Sequence, residues 1–129
     1  ALECSIKDKS HQSASVDMTI FEGVSTGNTR LVNVEFKYDA DQKSVAKDIL
    51  KLVHEEECGV FNQLINNRNS GTIENRLNKL RNSFNAFGTK WHGKSKYVLV
   101  VLMVLDNPEL IVRKILYSDL GHIDKILVY

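Results

Sequence analysis

Two stretches of the chain alternate with a period of two: residues 14–21 (Ala-Ser-Val-Asp-Met-Thr-Ile-Phe) and residues 31–38 (Leu-Val-Asn-Val-Glu-Phe-Lys-Tyr). Successive side chains on a strand point to opposite faces, so this pattern predicts two strands, each with one apolar face. Residues 22–30 between them include Gly23, Ser25, Thr26, Gly27 and Asn28, which is turn chemistry, and an antiparallel hairpin follows. Val16, Met18 and Ile20 on the first strand and Val32, Val34 and Phe36 on the second are expected to share a core-facing side. The opposite side carries Asp17, Glu35 and Lys37, with Asn33 beside them. A register that sets Asp17 opposite Glu35 centres the turn on residue 26, inside the turn-like stretch.

After a break at residues 39–44, a helix is predicted over 43–57, with Val45, Ile49, Leu52 and Val53 on one face. Gly59 is expected to end or bend it before Val60, Phe61 and Leu64. Residues 66–71 read as a loop. A second helix is predicted over 72–87 from Ile73, Leu77, Leu80 and Phe84, with Ser70 or Thr72 as its cap. Residues 96–105 are a nearly unbroken apolar run with four Val, the signature of a strand buried on both faces. Asn107-Pro108-Glu109 resembles a cap followed by a first-position Pro, so a helix is predicted over 108–118; a strand is the rival, since residues 112–117 are β-rich. Residues 122–129 are expected to close the chain as a short strand, and residues 3–9 are weakly strand-like.

These elements make an α/β chain with a mixed central sheet flanked by helices, expected to form a single domain over residues 1–129, either whole or as a fragment or tail of a longer protein. Hydrophobic residues are 43% and charged residues 26%, the balance of a folded domain rather than a disordered one. Two Cys cannot build a disulfide framework, so stability must come from the apolar core. Cys4 and Cys58 read as buried thiols, and the four His show no paired metal-binding spacing. Glu3, Lys7, Asp8 and Lys9 near the start argue against a secretory leader. The apolar run at 97–105 is far short of the roughly 20 residues a bilayer-crossing helix needs. A cytoplasmic protein without membrane attachment is expected.

The chemistry lies on the charged side of the hairpin. Side chains directly opposite on paired strands have β-carbons about 4.5–5.5 Å apart, so Asp17 and Glu35 would repel one another there. A divalent cation relieves that repulsion, and Mg²⁺ is held by one or two carboxylates together with water and phosphate oxygens. Lys37 projects from the same side as Glu35 and can position a water or stabilise charge developing on a phosphate. The plain alternative is a solvated face with a cross-strand Lys–acid salt bridge, worth about 0–1 kcal/mol.

At these residues the chain resembles the PD-(D/E)xK nuclease superfamily, whose pattern is an acid on one strand, acid-x-Lys on the next, and then a helix. The matching positions are Asp17, then Glu35-Phe36-Lys37, then the helix at 43–57. The resemblance covers about residues 3–105. It implies a restriction-endonuclease-like fold and an endonuclease activity, hydrolysis of phosphodiester bonds, dependent on Mg²⁺ or Mn²⁺. Asp17 and Glu35 would be the metal ligands and Lys37 the catalytic lysine. Val16 stands where the family's Pro would be. The helix that usually precedes the first strand has no counterpart beyond the first three residues, where Glu3 is a weak candidate for a further acid.

The near-neutral total charge hides a split. Residues 1–65 hold seven Lys/Arg against eleven Asp/Glu, whereas residues 66–96 hold seven Lys/Arg against the single Glu74. Within that basic segment Arg68, Arg76, Lys79, Arg81 and Lys90 are candidate nucleic-acid contacts, with seven Asn as further donors to phosphate. DNA is the expected substrate ahead of RNA such as tRNA, in a restriction, repair or toxin setting, and a homodimer or an inhibitor (immunity) partner fits such a role. The other reading is a non-catalytic nucleic-acid-binding or protein-interaction module that uses the 66–96 surface.

Overall fold

A computed structural model describes residues 5–7, 13–15, 17–24, 27–66, 69–106 and 108–129, with side chains described except at 5–7, 13–15, 22–24, 27–30 and 70. Strands β1 (Ser5–Lys7) and β2 (Ser13–Ser15) pair in a small antiparallel sheet. The chain then forms β3 (Met18–Val24), β4 (Gly27–Lys37), helix α1 (Gln42–His54), β5 (Cys58–Ile65), helix α2 (Ser70–Phe87), β6 (Tyr97–Val104), β7 (Glu109–Leu116) and a short helix α3 (Ile123–Ile126). The main sheet runs β3-β4-β5-β6-β7, with the two outer pairs antiparallel and the β4–β5 and β5–β6 pairs parallel. The fold is therefore α/β, a mixed five-stranded sheet flanked by helices.

The hairpin pairs Met18 with Val34, Thr19 with Asn33 and Ile20 with Val32. This register, continued by one residue, sets Asp17 opposite Glu35. A bulge between Ile20 and Phe21 then shifts the ladder, and the last pair is Val24 with Gly27. The stretch expected to be a nine-residue turn is thus mostly strand. Backbone ladder bonds do not depend on side-chain type, so a long hairpin overrides weak local turn preference. At its other end the expected first strand is interrupted: Val16 lies outside the described residues, and Asp17 precedes β3.

Parallel neighbours need a crossover, and α1 and α2 supply one each. Asp41 caps α1, its Oδ1 accepting the Ser44 N–H at 2.8 Å. Asn69, rather than Ser70 or Thr72, caps α2 by accepting the Gly71 N–H at 2.8 Å. Helix α1 stops at His54, and the residues after it enter β5, a central strand that the sequence expectation left unassigned. Its buried positions are Gly59, Phe61, Gln63 and Ile65, and a Gly and a Gln at inward sites disguise the alternation.

Residues 109–116 form a strand and not a helix. Ile111 and Ile115 point inward, while Leu110, Val112 and Leu116 point outward. Four residues is two strand periods and about one helical turn, so this spacing satisfies both templates; antiparallel pairing with β6 decides between them. The C-terminal segment likewise forms no strand. Residues 117–122 make a 3-10 helix leading into α3, which buries Ile123 and Leu127.

The two faces of the sheet differ from expectation. Helices α1 and α2 bury Val45, Ile49, Leu52, Val53, Ile73, Leu77, Leu80 and Phe84 against Phe61, Ile65, Val98, Val100, Leu102 and Ile115. At β3 and β4 this helix-covered face is the polar one: Thr19, Asn33 and Glu35 are buried on it. The apolar face of the hairpin was expected to be the core side. Val34 on it is buried, but Ile20 is 45% and Phe36 50% exposed. The reason is register: Asn33 and Glu35 lie beside Gly59 and Phe61 in the parallel ladder, on the side that α1 covers.

The position of α1 is set at two points. Gly59 passes beneath Leu52, where an added β-carbon would lie 2.9 Å from Leu52 Cδ2 and 3.1 Å from its Cβ. The last turn of α1 leaves carbonyl groups without helical partners. The buried Lys96 ammonium takes them, donating to Leu52 O at 2.9 Å, Val53 O at 2.7 Å and Glu55 O, and it lies over the Trp91 ring. Burial pushes this lysine down to about 8. No helix among the described residues is long and apolar enough to cross a membrane.

Two substitutions test this positioning by urea or thermal unfolding. Lys96→Met should cost at least about 1–3 kcal/mol, because it leaves buried carbonyls without donors. Gly59→Ala should destabilise by about 1–3 kcal/mol, since α1 must lift from the sheet to admit the methyl group. Unchanged stability in both would show that α1 is held elsewhere.

Candidate functional site

Strands β3 and β4 carry the sequence-predicted acids to one place. Asp17 sits just before β3, exposed, and its Oδ2 accepts the Phe36 N–H at 2.8 Å. That bond anchors the carboxylate to the β4 backbone. Glu35, one position before Phe36 on β4, is 1% exposed, and its carboxyl group interacts with that of Asp17. Lys37, two residues on, shares Glu35's side of the sheet, but its ammonium is drawn to helix α1, 3.0 Å from Asp48 Oδ2.

Helix α1 contributes two residues that the sequence reading missed. Asp48 is 3% exposed and faces β4. Lys51, one turn later, lies 2.9 Å from Glu35 Oε1 and 3.4 Å from Asp48 Oδ1. The cluster therefore holds three carboxylates (Asp17, Glu35, Asp48) and two ammonium groups (Lys37, Lys51). A signal for Asp48 was present in the sequence: it falls inside the apolar stripe formed by Val45, Ile49 and Leu52, where a charge is costly unless it has a partner.

Two buried oxygens in this cluster have a lysine ammonium as their neighbour: Glu35 Oε1 lies 2.9 Å from Lys51 Nζ, and Asp48 Oδ2 lies 3.0 Å from Lys37 Nζ. The Glu35 carboxyl is pushed up to about 8, first by burial and then by the neighbouring Asp48 and Asp17 carboxylates, with Lys51 opposing the shift. Lys51 itself is raised above the ordinary lysine value: burial lowers it, and Glu35 and Asp48 outweigh that loss.

Asn33 is bound into the fold rather than free to assist. Its Oδ1 accepts from Thr19 Oγ1 at 3.0 Å, and its Nδ2 donates to Glu57 Oε2 at 3.4 Å. Just beyond α1, Glu55 is the helix's buried C-cap and Glu57 reaches Asn33. Cys58 is a half-buried free thiol at the start of β5, off the helix that carries His54. Glu3 and Cys4 lie outside the described residues.

The basic segment is used largely within the chain. Arg76 pairs with Asp39 at 3.1 Å, and Lys79 donates to Ala40 O at 2.8 Å, so both tie α2 to the loop between β4 and α1. Arg81 bonds Leu127 O and Glu74. Lys90 is exposed on the 3-10 turn after α2, and Arg68 lies outside the described residues. On α1 the exposed Lys43 and Lys47 lie on the same flank as Lys51.

Among the described residues, no three His, Cys, Asp or Glu side chains converge as a closed metal cage. Mg²⁺ does not need one, because two carboxylates with water and substrate oxygens suffice. Asp17 and Glu35 are the two carboxylates that would serve such an ion, and Glu35 Oε1 already lies 2.9 Å from the Lys51 ammonium. No protein-family model, curated protein or solved structure matches the chain.

The raised Glu35 carboxyl ties stability to pH. Between about pH 4.5 and about pH 8 the folded protein retains a proton that the unfolded chain has released. This contribution is full below that window and is lost as pH rises through it. In metal-free buffer the melting temperature should therefore fall across the window, and Glu35→Gln should flatten the fall. A slope unchanged by Glu35→Gln would assign the titration to another group.

Proposed function

We propose that this chain is a metal-dependent nuclease of the PD-(D/E)xK type, hydrolysing phosphodiester bonds, in DNA ahead of RNA. The observation that carries the reading is the meeting of Asp17 and Glu35 at the end of the hairpin, with Glu35 buried against Lys51 and Lys37 on the same side of the strand.

Asp17 and Glu35 would hold Mg²⁺ or Mn²⁺. The metal, when bound, supplies charge neutralisation at the phosphate and a more acidic water. Asp17 keeps its carboxylate aimed through the Phe36 N–H. Glu35 is screened from bulk water by α1, which strengthens its electrostatic interactions. Lys37, partly exposed, can turn from Asp48 to hold the attacking water or meet the developing phosphate charge. Exposed Lys43 and Lys47 on α1 and Lys90 beyond α2 provide positive charge for a polyanion.

Incubation of the purified protein with Mn²⁺ or Mg²⁺ and supercoiled plasmid, and in parallel with structured RNA, tests the reading. Nicking is expected in DNA, abolished by EDTA. Asp17→Asn, Glu35→Gln and Lys37→Ala should each lower the rate by about 100-fold or more while the circular dichroism spectrum stays native. If both polymers survive intact with either metal, the proposal is wrong.

A further inference from the structure

The nuclease reading makes no use of Lys51, yet its ammonium lies 2.9 Å from Glu35 Oε1. We infer that Lys51 is a resident counter-cation of the site: it occupies the Glu35 carboxylate until a divalent cation arrives, and is then handed to Asp48. This deepens the proposed function and rests on it, since the exchange presupposes a metal held by Asp17 and Glu35.

The geometry makes the exchange short. Lys51 Nζ already lies between two acceptors, 2.9 Å from Glu35 Oε1 and 3.4 Å from Asp48 Oδ1. Asp48 is placed one turn before Lys51 on the same helix, so the second acceptor is fixed relative to the lysine backbone. Its other oxygen faces Lys37 at 3.0 Å. One buried carboxylate can therefore receive both lysines, one on each oxygen. Each ammonium sits at the end of a flexible four-carbon stem, so either contact can be exchanged without moving the helix backbone. A buried carboxylate without a counter-charge is costly, which explains why a lysine stands at Glu35 when nothing else does. Once Glu35 is ionised, as holding a metal requires, three carboxylates and two lysines leave the cluster one positive charge short. A bound divalent cation reverses that sign, and repulsion then drives Lys51 away from Glu35.

Lys51 acts in this scheme through Glu35, as a positioning residue and a brake on metal binding. Removing it should tighten metal binding even if the fold is weakened, which an ordinary structural ion pair would not do. Isothermal titration with Mn²⁺ reads this directly. Lys51→Met, which keeps the apolar stem, should bind Mn²⁺ about 5- to 150-fold tighter than the unsubstituted protein, the usual range for coupled equilibria. Lys51→Arg should restore the weaker binding. Asp48→Asn should weaken binding in the unsubstituted background and have little effect in the Lys51→Met background, because its task there has gone.

Equal Mn²⁺ affinity in Lys51→Met and the unsubstituted protein would overturn the exchange and leave the metal site standing. Absence of Mn²⁺ binding in the unsubstituted protein would remove the metal site, and the nuclease reading with it. A measurement without substitution guards against a variant that fails to fold. On Mg²⁺ titration followed by NMR, the Lys51 ammonium and Asp48 carboxyl resonances should shift together with that of Glu35. A Lys51 signal unmoved at saturating Mg²⁺ would overturn the exchange.

Discussion

A carboxylate buried on the helix-covered face of a sheet cannot stand alone, and the arrangement around Glu35 follows from that constraint. Its charged form is unfavourable beneath α1 unless a cation is close by. Lys51 provides one, at the cost of burying a second charge, and Asp48 balances Lys51 and Lys37 together. The height and direction of α1 then matter as much as the identities of its residues. Gly59 lets the helix approach the sheet, Asp41 closes its first turn, and Lys96 closes its last. The same helix that makes the core therefore makes the site.

The hairpin shows how an amphipathic pattern can be assigned to the wrong side. Its apolar residues are the natural choice for the core. Here the helix layer lies over Thr19, Asn33 and Glu35 instead, and Phe36 and Ile20 remain substantially exposed. Leu110, Val112 and Leu116 of β7 are exposed on the same side of the sheet as these two. A polar face has been covered, and an apolar face left partly open. The buried polar groups are matched in pairs, Thr19 with Asn33, Asn33 with Glu57 and Glu35 with Lys51, so the inversion is tolerated.

The basic segment carries a related lesson about charge. Counted along the chain, residues 66–96 resemble a surface made for a polyanion. Folded, Arg76 and Lys79 reach back to the loop entering α1, Arg81 holds the backbone carbonyl of Leu127 after α3, and Lys96 is buried. These cations hold the two helices and the chain end in place around the cluster. Lysines on the exposed flank of α1, in a stretch whose net charge is acidic, are better placed beside the acids.

Much of the architecture is legible in local pattern. The hairpin register that sets Asp17 against Glu35, the helices at α1 and α2, and the Val-rich strand β6 each follow from periodicity over neighbouring residues. So does the presence of Glu35 and Lys37 on one side of a strand. What periodicity could not supply is what lies across from that side. Strand β5 hides its alternation behind Gly59 and Gln63, and β7 carries an Ile spacing that fits helix and strand alike, settled by pairing with β6. Asp48 and Lys51 are ordinary helix residues until α1 is laid over β4. That placement depends on parallel pairing between β4 and β5 and on the contact of Leu52 with Gly59, between residues far apart in sequence. The sequence by itself determined which side chains share a strand face; only the tertiary structure decided which charges meet, because ion pairing depends on distance in space and not on separation along the chain.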